Sequence, residues 1–233
     1  MQGNKFLSGV YFYMMIALVA TGVTSYLFGN TELIHTMYDI VPNEEGEGTH
    51  MSMTILGWIV TLAPLAMVFG LASMLKRSTA TIMFMGLILF AVMIGMSLSY
   101  IFLIYTGASI VLTFFTTASL FLILSLVGLK TEVDLTNFGT FLMFALVGII
   151  IAMIANWFVQ SPTMHYVISA IAILVFLGLT AYDTQKLKDI GRGMDYGSDE
   201  TKKLAIWGAL DLYLDFINIF IHLLQFMGVS SDD

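Results

Sequence analysis

Long apolar runs broken by short polar segments dominate the chain. Residues 6–28 form the first, 53–75 the second, 138–158 the fifth and 164–186 the sixth. Between them, residues 79–129 carry no charge and are long enough for two crossings, with a break near Tyr105-Thr106-Gly107-Ala108-Ser109. Residues 204–226 form a seventh run. Each run reaches the roughly 20 residues that a helix needs to cross a bilayer. Polar segments mark the turns: 30–50, Lys76-Arg77-Ser78, 130–137, Val159-Gln160-Ser161-Pro162 and 188–203. Pro64 inside the second run predicts a kink that neighbouring helices tolerate, and Pro162 stops a helix from running through its turn. The first run is too long for a signal peptide and has no small-residue cleavage site, so it reads as a span. The pattern predicts an all-α polytopic membrane protein, one domain over residues 1–233.

Composition agrees: 58% of the 233 residues are hydrophobic, 11% are charged and the mean hydropathy is +0.91. There is no cysteine, which excludes disulfides and thiolate metal sites. The net charge is −7, and no basic cluster suggests a nucleic-acid partner. The distribution of charge says more than its sum. With seven spans all nine basic residues fall on one side: Lys5, Lys76, Arg77, Lys130, Lys186, Lys188, Arg192, Lys202 and Lys203. By the positive-inside rule this predicts a cytoplasmic N-terminus and an external C-terminus. A six-span alternative, with the last run re-entrant, would return the tail inward.

The seventh run differs from the rest. It carries Asp211, Asp215, Asn218 and His222, which fall within an arc of about 60° at 100° per residue. Each Asp near a bilayer centre is unfavourable by about 2.5–3.5 kcal/mol, whereas the thirteen Leu, Ile and Phe residues of the run offset about 4–8 kcal/mol together. Alone in lipid the helix is near break-even. Surrounded by other helices it can hide the stripe, so the C-terminal helix is expected at the centre.

Ionisable residues inside spans are functional candidates. Asp183 lies near the basic end of the sixth span, in LTAYDTQKLK, and the short linker to the seventh makes the two spans neighbours. A facing pair of Asp183 and Asp215 would share a proton or hold a divalent cation, because two poorly hydrated carboxylates in contact do not both stay ionised easily. Calcium takes six to eight oxygens. Asp183, Asp215 and their neighbours Asp211 and Asn218 suit transient occupancy by calcium better than tight storage. Arg77 can latch the basic end by pairing with one of the acids. The plainer alternatives are an interfacial Asp183 beside Lys186, structural hydrogen bonding by Asp211 and His222, a turn cation at Arg77, and a solvated acidic loop at Glu32, Asp39, Glu44, Glu45 and Glu47.

The blocks AYDTQKLK and LYLDFINIFIHLLQFMG resemble the transmembrane BAX inhibitor motif family, bacterial branch. Tyr182-Asp183, Gln185 and Lys188, then Leu212 to Asn218, carry the likeness, and the span pattern extends it over nearly the whole chain. The resemblance implies a last helix surrounded by six others and a pH-sensitive calcium leak. In it Asp183 and Asp215 are the proton-sensing aspartates and Arg77 their partner. It also implies calcium as the permeant ion, with no tightly bound cofactor, and a bacterial inner-membrane location. Modulation of a membrane-bound protease is a further family association. Asp211 departs from the bacterial pattern, where a small polar residue is more familiar.

Two function classes follow: a proton-regulated calcium leak, and a non-transporting modulator of a membrane partner. No enzyme is expected. An intramembrane aspartyl protease would need glycine-flanked Asp on the last span, and here Leu-Tyr-Leu precedes Asp215. No HExxH, P-loop or Rossmann glycine pattern occurs.

Overall fold

The computed structural model describes residues 2–42, 49–194 and 197–231. Its elements, in order, are α1 (Gln2–Gly29), α2 (Ile34–Met37), β1 (Tyr38–Pro42), β2 (Thr49–Met53), α3 (Ile55–Arg77), α4 (Ala80–Ser97), α5 (Ile101–Ile104), α6 (Gly107–Lys130), α7 (Thr136–Val159), α8 (Pro162–Gly191) and α9 (Asp199–Met227). A 3₁₀ turn at Leu98–Tyr100 joins α4 to α5, and the two finish one crossing. Seven helical segments are therefore long and apolar enough to span a membrane. Among the described residues these seven match the seven-span expectation, with α9 as one unbroken helix.

Hydroxyl residues fix where the helices begin. Thr54, Thr79, Thr106, Ser161 and Ser198 each accept a hydrogen bond from the backbone N–H three residues on, at Gly57, Ile82, Ser109, Met164 and Thr201. These contacts satisfy N–H groups that the first turn leaves free. Between α7 and α8 the chain reverses at Gln160, in the left-handed region at φ 53°. Pro64 lies inside α3 without ending it.

α9 is the axis of the bundle. Of its most apolar stretch 67% is buried, against 17–44% for the other spans. It packs on α8, α1, α6 and α4, and more lightly on α3. α7 lies farthest out, resting mainly on α8, and its Leu142 and Ile149 share one apolar cluster with Ile219 of α9. On the other flank Ile206, Leu210 and Tyr213 meet Phe6 and Val10 of α1 and Leu87 and Phe90 of α4. One polar joint crosses this interface: the Thr21 hydroxyl donates to the Ala91 carbonyl at 2.9 Å and lies 2.7 Å from the Tyr213 hydroxyl. It ties three helices where lipid offers no competing partner.

The basic residues gather at one end. There Phe6 packs against Gly191, the Asp199 carboxylate accepts the Ala80 N–H at 3.1 Å, and the Lys188 ammonium donates to the Leu129 carbonyl at 3.0 Å. Helices α8 and α9, at 30 and 29 residues, exceed the roughly 20 residues a bilayer needs, so both have charged turns left over at this end.

The opposite end holds two features that hydropathy concealed. Residues 30–50 are not simply a loop: α2 and the β1–β2 hairpin, with Tyr38 opposite Met53, fold back over the bundle. Ile34, Met37 and Tyr38 pack on Val60, and the Tyr38 hydroxyl donates to the Ser97 carbonyl at 2.8 Å, beside the 3₁₀ turn. Glu44, Glu45 and Glu47 lie outside the described residues. The C-terminal tail is likewise pinned. Thr106 N–H donates to the Val229 carbonyl, Ser231 N–H to the Ile104 carbonyl and Val229 N–H to the Ser109 hydroxyl.

Close approach of α6 to α8 depends on Gly128. A Cβ there would collide with the Ala181 carbonyl oxygen, which is backbone and cannot move aside alone. Gly128→Ala is expected to destabilise the protein by about 1–3 kcal/mol. Gly148→Ala, with open space around it, should be near neutral. Unfolding titrations of both variants in mixed micelles check this.

Candidate functional site

The polar stripe of α9 meets α8 at the basic end. Helical spacing puts Thr180, Asp183, Thr184 and Lys186 on neighbouring turns of α8, and Asp211 and Asp215 on successive turns of α9. Asp183 and Asp215 are both buried, at 7% and 4% exposure. Lys186 bridges the helices: its Nζ lies 3.7 Å from Asp183 Oδ1 and 3.9 Å from Asp211 Oδ2. These distances exceed hydrogen-bonding range, so the attraction is Coulombic and the ammonium is loosely held.

Asp215 sits one turn deeper along α9, within electrostatic reach of Asp183, Asp211 and Lys186 and beside Thr180. Its Oδ2 is buried and has no hydrogen-bond partner among the described residues. Three carboxyl groups thus face one ammonium. The cluster has carboxylates in excess, at a place where an uncompensated charge is expensive.

The structure brings Asp183 and Asp215 within electrostatic reach of each other at the α8–α9 interface. Arg77, expected as the latch, is exposed at the end of α3 and makes no ion pair with any described acid. Lys186 stands in the place assigned to it, because α8 carries its own cation one turn from Asp183. That i, i+3 spacing was visible in the sequence; its reach to Asp211 across the interface was not. Among the described residues no group of three or more His, Asp or Glu is placed to hold a metal ion. Between Asp183 and Asp211 lies the Lys186 ammonium.

Asn218 and His222 lie apart from the acids. The Asn218 amide donates to the Leu214 carbonyl of its own helix at 2.7 Å. His222 is near the opposite end, its Nδ1 3.3 Å from the Ser169 hydroxyl and its ring stacked on Phe176. Gln185, part of the family-like block, is structural. Its Oε1 accepts the Leu135 N–H and its Nε2 donates to the Val133 carbonyl, both at 2.8 Å, holding the α6–α7 turn against α8. In that turn, outside the spans, the side chain and backbone N–H of Thr136 hydrogen-bond to Asp134 and hold its carboxyl below the usual carboxylate range.

Fold and site define a polytopic helical membrane protein with an acid–lysine cluster buried between its last two helices. The chain belongs to the family of inhibitors of apoptosis-promoting Bax1, whose model matches residues 3–232. It is 36% identical over 226 residues to the inner membrane protein YbhL of Escherichia coli, covering 97% of this chain and 92% of that one. To protein RP147 of Rickettsia prowazekii it is 40% identical over 235 residues, covering 98% and 91%. A Deinococcus radiodurans protein is 33% identical over 234 residues, covering 99% and 93%.

Gln185→Leu removes two hydrogen bonds and leaves Leu135 N–H and Val133 C=O without side-chain partners. It is expected to cost about 1–3 kcal/mol and to open the turn at 131–135. Limited proteolysis of that turn, compared with the parent protein, measures the effect.

Proposed function

We propose that this protein is a proton-controlled calcium leak of the bacterial inner membrane, with Asp183, Asp211, Asp215 and Lys186 as its gate. The observation that carries the reading is the excess of carboxylates over ammonium at one buried level of the α8–α9 interface. Such a cluster gains from any added positive charge, whether proton or metal ion. Lys186 is the resident competitor: while it bridges Asp183 and Asp211, a calcium ion has no place between them. Passage requires that it swing towards the water at the basic end, where it is already 40% exposed. Protons and calcium compete for the same oxygens, so acidification at that end lowers calcium passage.

The location rests on the E. coli relative, whose name assigns that protein to the inner membrane, and on seven apolar spans. Gathering of all nine basic residues at one end supports a cytoplasmic N-terminus and an external C-terminus.

Calcium flux into dye-loaded liposomes tests the reading. Wild-type flux is expected to fall about threefold or more between pH 8 and pH 6, because added protons take the oxygens that calcium needs. Asp215→Asn and Asp183→Asn should flatten that dependence. Lys186→Gln should raise flux at pH 7, because the internal competitor is gone. Flux absent from the wild type, or unchanged in all three variants, rules the proposal out.

A further inference from the structure

A second polar site lies at the far end of the same interface. A cavity of about 180 Å³ is lined by Asn156 and Trp157 of α7, His165 and Ser169 of α8, and His222 and Gln225 of α9. Its floor is an ordered network: Ser169 Oγ donates to Gln225 Oε1 at 3.1 Å and lies 3.3 Å from His222 Nδ1. Its rim is open, since His165 and Trp157 are exposed within about two turns of the helix ends. That is the level where a bilayer gives way to water, and where Trp is favoured. A polar cavity of this size, with hydrogen-bonding groups on three walls, holds several waters at roughly 30 Å³ each.

The route from this cavity towards Asp215 is closed by apolar side chains. Along α9, His222 and Asp215 are seven residues apart, about 10 Å on one face. Ile219 fills the step between them and is fully buried. On α8 the residues facing this seam run Ser169, Ala172, Phe176, Thr180 and Asp183: polar, apolar, apolar, polar, acidic. The Phe176 ring contacts the cavity side, and its backbone anchors the Thr180 hydroxyl one turn on along the same helix. Its ring stacks on His222 with centroids 6.4 Å apart and planes 21° apart, and its carbonyl accepts the Thr180 hydroxyl at 2.8 Å. Phe176, Ile219, Leu179 and Leu223 belong to one apolar cluster, a plug between two polar sites.

We infer that the His222–Ser169–Gln225 cavity is a hydrated vestibule at the far end of the α8–α9 seam, and that Phe176 is the apolar gate separating it from the acid–lysine cluster. A hydrated cation or a proton entering from the far end is bound first by the Gln225 and Asn156 amide oxygens and by the histidines. It then stops at the Phe176 ring, which offers no hydrogen bond. Opening requires that ring to turn away from His222. Transport significance rests on the leak proposed above; the vestibule and the gate do not, and they are testable without any flux.

The chain has no cysteine, so single cysteines report water access directly. Val159→Cys and Lys202→Cys, at opposite ends, fix the orientation in proteoliposomes. A membrane-impermeant methanethiosulfonate reagent, which needs a hydrated thiol, is then applied from the Val159 end. Ser169→Cys is expected to react at least about tenfold faster than Thr180→Cys, since only the former lines the cavity. Equal rates, or no reaction at Ser169→Cys, overturn the vestibule. Adding Phe176→Ala to Thr180→Cys should raise its rate about tenfold from that side; adding Leu179→Ala should raise it far less. No increase in a folded Phe176→Ala protein overturns the gate. Where Phe176→Ala fails to fold, Phe176→Leu, which removes the stacked ring but keeps much of its bulk, decides the same question with an expected rise of about threefold. If labelling behaves as expected while calcium flux is absent, the leak fails and the vestibule stands.

Discussion

The acid groups of α9 must be kept from lipid, and the arrangement of the bundle follows from that constraint. Asp211 and Asp215 on a free-standing helix would cancel most of its gain from burying Leu, Ile and Phe. The chain meets the constraint by placing α9 at the axis, and by bringing Asp183 and Lys186 of α8 to the same level. Apolar packing supplies the walls. The Lys186 ammonium offsets part of the charge, leaving a cluster that is anionic when every group is ionised.

The same economy explains why the polar contacts concentrate at the two ends and on one seam. At mid-depth, helices meet through Leu, Ile, Phe and closely approached glycines such as Gly95, with the Thr21–Tyr213–Ala91 joint as a polar tie. Near the ends, where water is available, the chain can afford Gln185 on the α6–α7 turn and Tyr38 on the 3₁₀ turn. α9 therefore carries a polar site at each end of its α8-facing side, with Phe176 and Ile219 between. Apolar packing thus separates the two polar sites.

Lys186 is the cation that the buried acids of this chain meet. An arginine on a neighbouring span and a lysine on the helix of the aspartate itself supply the same charge from different directions. A guanidinium forks onto carboxylates with fixed geometry, whereas an ammonium on a flexible stem is a movable point charge. Its contacts of 3.7 and 3.9 Å suit a competitor that leaves and returns. Asp211 is the residue that gives Lys186 its second anchor, across the interface from Asp183.

Much of the architecture was legible in the order of residues. Apolar runs of bilayer length mark the spans, because lipid leaves a backbone few ways to satisfy its own hydrogen bonds. The one-sided basic residues and the 60° stripe on the last run likewise pointed to a common end and a central α9. Hydropathy was blind to the hairpin at 38–53 and to the clip made by Val229 and Ser231, since both are held by contacts between segments far apart in the chain. Only the tertiary structure decided that Lys186 rather than Arg77 faces the acids, that His222 belongs to a separate cavity, and that Phe176 stands between. Periodicity fixes which face of a helix a residue occupies; the rotation and height of the neighbouring helix choose what that face meets.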